Sequence, residues 1–431
     1  MHYRVILLPL LLALVLSFVV IQKAHAIPAF TRQYKTECST CHTLYPELNE
    51  YGQAFLKNGY VYAKPGSGSG GEASVPSDEG EGTQAQAGKS KKNEGISLSG
   101  IPEWLPLSVT ANQNIVYNEH APNGDNWDFA TRDLVLQGGG AFRDLAGFFM
   151  TFDLFTHASN NVPNTIQIDT NKLDELFMVW RQLFHTPVNI KFGKFEPKLS
   201  LWKKSDKIII TSFATSAFKV GSSPFSMETS QDALEANCVL ANRLFLAAGI
   251  VDIDGQNTKD GYGHVSVKFG GADFLGNEPS MDLENESIWD YLTLTLAAYG
   301  YSGRNAEPVG SSFRNNFYRV GGDMDLIYKR LRVRFSGVTG RDTNPDFTTP
   351  ATEVKPLVLA AEAEYLFGSP ANIAGVFRYE YQDDGSGIIR RYIPAVAYTP
   401  IQNVKLLLQY NYETTPLTDN KIALANVSFG F

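Results

Sequence analysis

Residues 38–42 read Cys-Ser-Thr-Cys-His. Two thiols three positions apart, followed at once by an imidazole, suit one chemistry above others. The thiols reach the two vinyl groups of a haem and close thioethers, while the histidine takes the proximal side of the iron. Cys38 and Cys41 are therefore the expected attachment points of one haem c, and His42 its expected iron ligand. A Cys-x-x-Cys also serves as a dithiol redox pair or as half of a zinc site. No second cysteine pair completes zinc ligation, and no βαβ pattern surrounds the motif. Cys238 stands alone and reads as a small strand residue rather than a reactive thiol, so there is no disulfide framework.

Something must hold this motif in place. From Pro46 to Asn58 the apolar residues Leu48, Tyr51, Phe55 and Leu56 recur at three- and four-residue steps, which predicts a helix. Pro46 suits its first turn and Gly59 its C-terminal stop. The unit 27–64 is too short to bury a sufficient core by itself, so haem or another part of the chain must cover it. No methionine lies between the motif and Met150, which excludes a Met/His haem built within the unit. The sixth ligand stays open among Lys35, Lys57, the amino group of Ile27, a histidine from elsewhere, water or nothing.

Ahead of the unit, Met-His-Tyr-Arg precedes an apolar run from Val5 to about Val20 and then Ala24-His25-Ala26. A basic start, a short apolar core and an Ala-x-Ala site predict a cleaved secretory signal over 1–26. A retained anchor is the alternative, but the run is short for a spanning helix. The net charge of −8, without a long basic stripe, argues against nucleic acid as a partner. Residues 65–97, from Pro-Gly-Ser-Gly onward, carry almost no large apolar side chains and read as a flexible Gly/Ser/charged linker.

Within residues 98–431, from about residue 106 onward, the period is two. Leu331, Val333 and Phe335 alternate with Arg332, Arg334 and Ser336, as do Val265, Val267 and Phe269 with His264, Ser266 and Lys268. A soluble sandwich and a barrel with a lipid face and a polar lumen both permit this. Connection lengths favour the barrel. Long stretches (119–127, 159–171, about 199–232, 254–261, 302–315, 340–353) alternate with short turns such as Lys329-Arg330, and 271–286 is a long exception. About sixteen antiparallel strands are expected, giving an all-β transmembrane barrel with a small helical haem unit at its N-terminus. Ala423, Ala425, Val427, Phe429 and Phe431 make one apolar face of a last strand whose terminal aromatic resembles the assembly signal of bacterial outer-membrane barrels.

Two stretches resemble known families. Ile27 to His42, followed by Pro46-Glu-Leu-Asn-Glu-Tyr-Gly and Phe55-Leu-Lys-Asn-Gly-Tyr60, resembles the haem segment of the fused monohaem cytochrome–porins of iron-oxidising bacteria. Ile190-Lys-Phe-Gly-Lys-Phe-Glu-Pro is similar to a strand-and-turn motif of phosphate-selective porins. The first resemblance implies an outer-membrane electron-transfer protein with iron(II) oxidase activity, its haem unit in the barrel lumen or at its periplasmic mouth. It implies extracellular Fe(II) as donor and a periplasmic carrier, a soluble cytochrome, as acceptor. Electron export to an external acceptor, or a solute porin with a redox-active plug, are the competing readings.

Strand parity assigns His157 to the lumen with Asp153 and Thr151 on strand three, and His264 with Ser266 and Lys268 on strand eight. Both are expected near the outer strand ends. There they are candidates for a distal haem ligand or for positioning an entering metal ion, against the plainer reading of polar lumen residues. Asp383 and Asp384 are weaker candidates for attracting cations from outside.

Overall fold

Alternation along each strand puts one set of side chains in a wet lumen and the other against lipid, and closing the sheet removes its edges. The computed structural model describes residues 30, 34, 36–61, 106–121, 124, 126–142, 144–156, 172–252, 259–279, 286–306, 313–368 and 372–430. The signal over 1–26, the linker over 65–97, Lys35, His157 and Phe431 lie outside them.

The first half of the barrel comprises β1 (Leu107–Asn118), β2 (Trp127–Phe142), β3 (Ala146–Thr156), β4 (Lys172–Trp180), β5 (Val188–Phe195), β8 (Gln231–Leu240), β9 (Leu244–Asp252) and β10 (Asp260–Phe269). The second half comprises β11 (Leu292–Ala306), β12 (Arg314–Tyr328), β13 (Leu331–Asp342), β14 (Leu357–Phe367), β15 (Ile373–Asp383), β16 (Ile388–Ile401), β17 (Val404–Thr414) and β18 (Asp419–Gly430). Each pairs with its neighbour, and β1 pairs with β18 to close the ring of sixteen. A separate hairpin, β6 (Ala217–Val220) and β7 (Ser223–Ser226), belongs to the connection between β5 and β8.

The faces follow the alternation. On β13 Arg332, Arg334 and Ser336 are buried inward while Phe335 is exposed outward. Outward aromatics mark two belts: Tyr318 with Tyr379, Tyr392 and Tyr412 at one end, and Tyr365, Phe367 and Tyr398 at the other. About ten residues separate Tyr318 from Tyr328 on β12. At ~3.4 Å per residue and ~40° tilt they span roughly 26 Å, the height of a lipid-facing band.

Two expectations need correction. The helix α1 (Glu50–Lys57) begins at Glu50, not Pro46. The residues before it are engaged otherwise: Thr43 N–H donates to Glu47 O, and Asn49 N-caps the helix through Gly52 N–H. The stretch around 199–232 is not an external loop; residues 196–230 turn into the barrel. They carry Ile208, Ile209, Phe213, Phe218 and Phe225, all buried, and an apolar run of this kind is covered only inside. The long exception after β10 has a role as well. Phe274 is buried under α1, and the backbone at Gly276 lies close to Tyr51.

Candidate functional site

The Cys-Ser-Thr-Cys-His turn sits inside the barrel, toward the end of short turns. A 3-10 turn over Cys38–Thr40 places its groups: Cys41 and His42 N–H both donate to Cys38 O, at 3.1 and 2.9 Å. Both thiols are free, and Cys38 is 3% exposed. Its N–H donates to Gln402 Oε1 at 3.2 Å, in the turn between β16 and β17. Burial pushes the thiols of Cys38 and Cys41 up to about 11. A working dithiol redox pair needs a depressed thiol pKa, so this environment disfavours that reading.

His42 is oriented by backbone. Its Nδ1 lies 3.1 Å from Pro46 O and 3.3 Å from Glu47 O, and since carbonyls only accept, Nδ1 carries the proton. That leaves the Nε2 lone pair for a metal, the arrangement that fixes tautomer and ring orientation in metal-bound histidines. Burial lowers the His42 pKa, which keeps the imidazole in its neutral, ligating form. Asn49 ties the turn to the helix. Its Nδ2 donates to Ser39 O and Thr40 O at 3.1 and 3.0 Å, its N–H donates to Cys41 O, and its Oδ1 caps α1. At Gly52 a Cβ would fall 2.2 Å from Cys41 O, so only glycine lets the helix approach the turn this closely.

The barrel wall grips the segment by charge and by rings. Glu47 is 1% exposed and lies between two guanidinium groups of β13, 2.8 Å from Arg332 Nη1 and hydrogen-bonded by Arg334. Those arginines also meet Asp325, Glu362 and Glu364. Tyr60 stacks on Phe149 of β3 at 5.0 Å with rings nearly parallel, beside Phe177 of β4. A Cβ on Gly147 would lie 1.7 Å from Gly59 O, so the wall is notched to admit the chain. The inward segment 196–230 adds a third hold: Asp206 accepts from Leu48 N–H at 2.7 Å and from Gln53. It reaches across the lumen, from Lys203 on Glu175 of β4 to Ile208 O on Lys405 of β17.

Lys57 is buried at the end of α1, its Nζ 4.9 Å from the Phe274 ring centre and 5.7 Å from that of Phe245. Burial, with Lys198 and Lys268 adding to it, lowers its pKa well below 10.5. A cation–π contact offers about 0.5–2 kcal/mol, less than the several kcal/mol of burying an ammonium, so docking favours the neutral amine. The undocked segment then binds more protons between this lowered pKa and 10.5, and docking strengthens as pH rises through that window. Subtilisin digestion of the wild type is expected to release residues 36–61 more slowly at pH 10 than at pH 7, relative to a reference substrate. Lys57→Met is expected to flatten that difference; a variant that keeps it would assign the slope to another group.

The predicted histidines separate. His264 does face the lumen, but at mid-strand rather than near the outer end. Its Nδ1 donates to Leu199 O at 2.6 Å, pinning segment 196–230, and its buried Nε2 has no hydrogen-bond partner in the structure. Two further histidines of the barrel, His120 and His185, are exposed in turns. Asp383 and Asp384 accept from Gly385 and Ser386 N–H within their own turn. Cys238 sits on the outward face of β8, as a small strand residue should. Sequence reasoning missed Glu47, Asn49 and Asp206, whose partners are fixed only by the fold.

Similarity to solved structures agrees with this architecture. The anion-selective porin from Comamonas acidovorans superposes with a TM-score of 0.55 at 10% identity, over 75% of this chain and 98% of that one. The outer membrane channel DcaP of Acinetobacter baumannii gives 0.51 at 9% identity, over 75% and 96%. Pseudomonas putida OprB gives 0.51 at 10% identity, over 75% and 94%. No protein-family model and no curated protein matches the chain. The fold is that of a porin-like outer-membrane barrel. In that class short turns face the periplasm and long loops the exterior; the Cys-Ser-Thr-Cys-His turn lies at the short-turn end, beside Gln402.

Proposed function

We propose that this protein carries single electrons across the outer membrane through one haem c bound by Cys38, Cys41 and His42. In this reading it accepts electrons from extracellular Fe(II) and passes them to a periplasmic carrier such as a soluble cytochrome. The observation that carries the reading is His42 itself, inside the barrel with Nδ1 satisfied by two carbonyls and Nε2 free beside two free thiols. That donor set fits a covalently bound haem, which supplies a one-electron Fe(III)/Fe(II) couple. The hydrocarbon core is about 30 Å thick, so a redox centre seated within the barrel shortens the distance between carriers on either side. The chain does the positioning. Asn49 and the Pro46 and Glu47 carbonyls orient the turn, Glu47 anchors it to β13, and Asp206 of segment 196–230 holds the chain that follows it at Leu48.

Purified protein is expected to show a c-type visible spectrum and to be reduced by Fe(II) in stoichiometric titration. A covalent haem that Fe(II) cannot reduce would sink the iron assignment and favour electron export. The second reading, a solute porin with a redox-active plug, draws on the porin fold. Open ion conductance in planar bilayers, unchanged by redox state, would favour it.

A further inference from the structure

On the outward face of β10–β13, at the extracellular end, lies a groove of about 360 Å³. Lys259, Arg304 and Arg341 line it, with Ser302, Asn316 and Thr343 between them, and the lining also includes Asp260, whose carboxylate already accepts from Tyr301 OH and Arg304 N–H. Strand register fixes its height. Ser302, Tyr318 and Arg341 form one row, and Arg304 with Asn316 forms the row above. Tyr318 belongs to the outer aromatic belt, so the cations stand at and just above the level where the outer leaflet's headgroups begin.

The same wall is hollowed below and to one side, across β8–β11. Gly300 and Ala298 follow Ser302 down the outward face of β11, and with Gly263, Ala248, Ala236 and Cys238 they border an apolar trough of about 500 Å³. Small residues on four adjacent strands leave a depression in a surface that faces hydrocarbon. A cationic groove above a lipid-level trough is the shape of an amphiphile with an anionic head.

We propose that this face binds a phosphorylated, acylated glycolipid of the outer leaflet, its phosphate among Lys259, Arg304 and Arg341 and an acyl chain in the trough. The cations have partners already, among them Asp252 for Lys259 at 2.7 Å, Glu353 for Arg341 at 2.5 Å, and Asn316, which accepts from Arg304 Nε. Those ion pairs are more than a third exposed at both ends, and exposed pairs contribute only about 0–1 kcal/mol. A phosphate offering bidentate, charge-assisted bonds to arginine displaces them.

The test uses the full-length protein in detergent and native mass spectrometry with bisphosphorylated hexa-acyl lipid A as probe. The wild type is expected to bind it at least tenfold more tightly than dephosphorylated lipid A. An R304Q/R341Q variant should lose at least tenfold, and Ala298→Phe, which fills the trough, a comparable amount. Lys421→Gln, far round the rim, should bind as wild type does. Retained heat-modifiable gel mobility checks that each variant is folded. Equal binding of both lipids, or undiminished binding by R304Q/R341Q, overturns the proposal. Competition by inorganic phosphate at equal concentration would reduce it to an anion site, and a lipid-independent dimer lost in R304Q/R341Q would assign the face to a second copy; either result also overturns it.

Discussion

Replacing Glu47 with glutamine is expected to release the N-terminal segment from the barrel. The carboxylate is buried between Arg332 and Arg334 of the wall. Breaking a buried, hydrogen-bonded ion pair costs about 3–5 kcal/mol because the remaining charges stay desolvated. Here the arginines keep Asp325, Glu362 and Glu364, so the low end applies, about 3 kcal/mol. That corresponds to roughly a hundredfold change in the docking equilibrium, at ~1.4 kcal/mol per factor of ten. Trypsin provides the readout. Lys57 is buried in the docked segment and becomes a cleavage site once the segment leaves. Glu47→Gln should therefore be cut there far faster than the wild type, while the barrel stays intact. Equal resistance of the two proteins would mean that Tyr60 and Asp206 suffice to hold the segment.

Alanine at both Cys38 and Cys41 should abolish covalent haem altogether. These are the two free thiols of the site, and no other cysteine faces the lumen among the described residues. The barrel does not depend on them, since its sheet closes through backbone pairing that neither residue joins. The double variant should assemble with wild-type gel mobility, lack haem staining after denaturation, and show no reduction by Fe(II). Haem that remains covalently attached in this variant would refute the assignment of the motif.

Much of the barrel was legible because its signal is local. A period of two places Arg334 inside and Phe335 outside whatever the distant partners are, and register cannot slip without inverting both faces. The Cys-Ser-Thr-Cys-His spacing is equally local. What escaped depends on contacts across hundreds of residues. Glu47 looks like any helix-flanking acid until β13, 285 positions later, brings Arg332 to it. The inward course of 196–230 left a trace in Ile208-Ile209-Ile210 and Phe213, an apolar run out of keeping with an exposed loop. The height of His264 was misjudged because strand ends carry a weaker signal than strand interiors. Pro46 marked a turn rather than a helix start because Asn49 is the better cap.

The grip on residues 36–61 also sets an order of events. Their partners lie on β3, β4, β13 and the β16–β17 turn, the last of them 364 positions away at Gln402. Contacts of such sequence separation form late, after the intervening chain has been ordered. The segment precedes the barrel strands in synthesis and is seated after them. Any group joined covalently to Cys38 and Cys41 has its window in that interval, while the turn is open to an attaching enzyme. Once the strands from β13 to β17 are in place, the turn is enclosed and closed to any such enzyme.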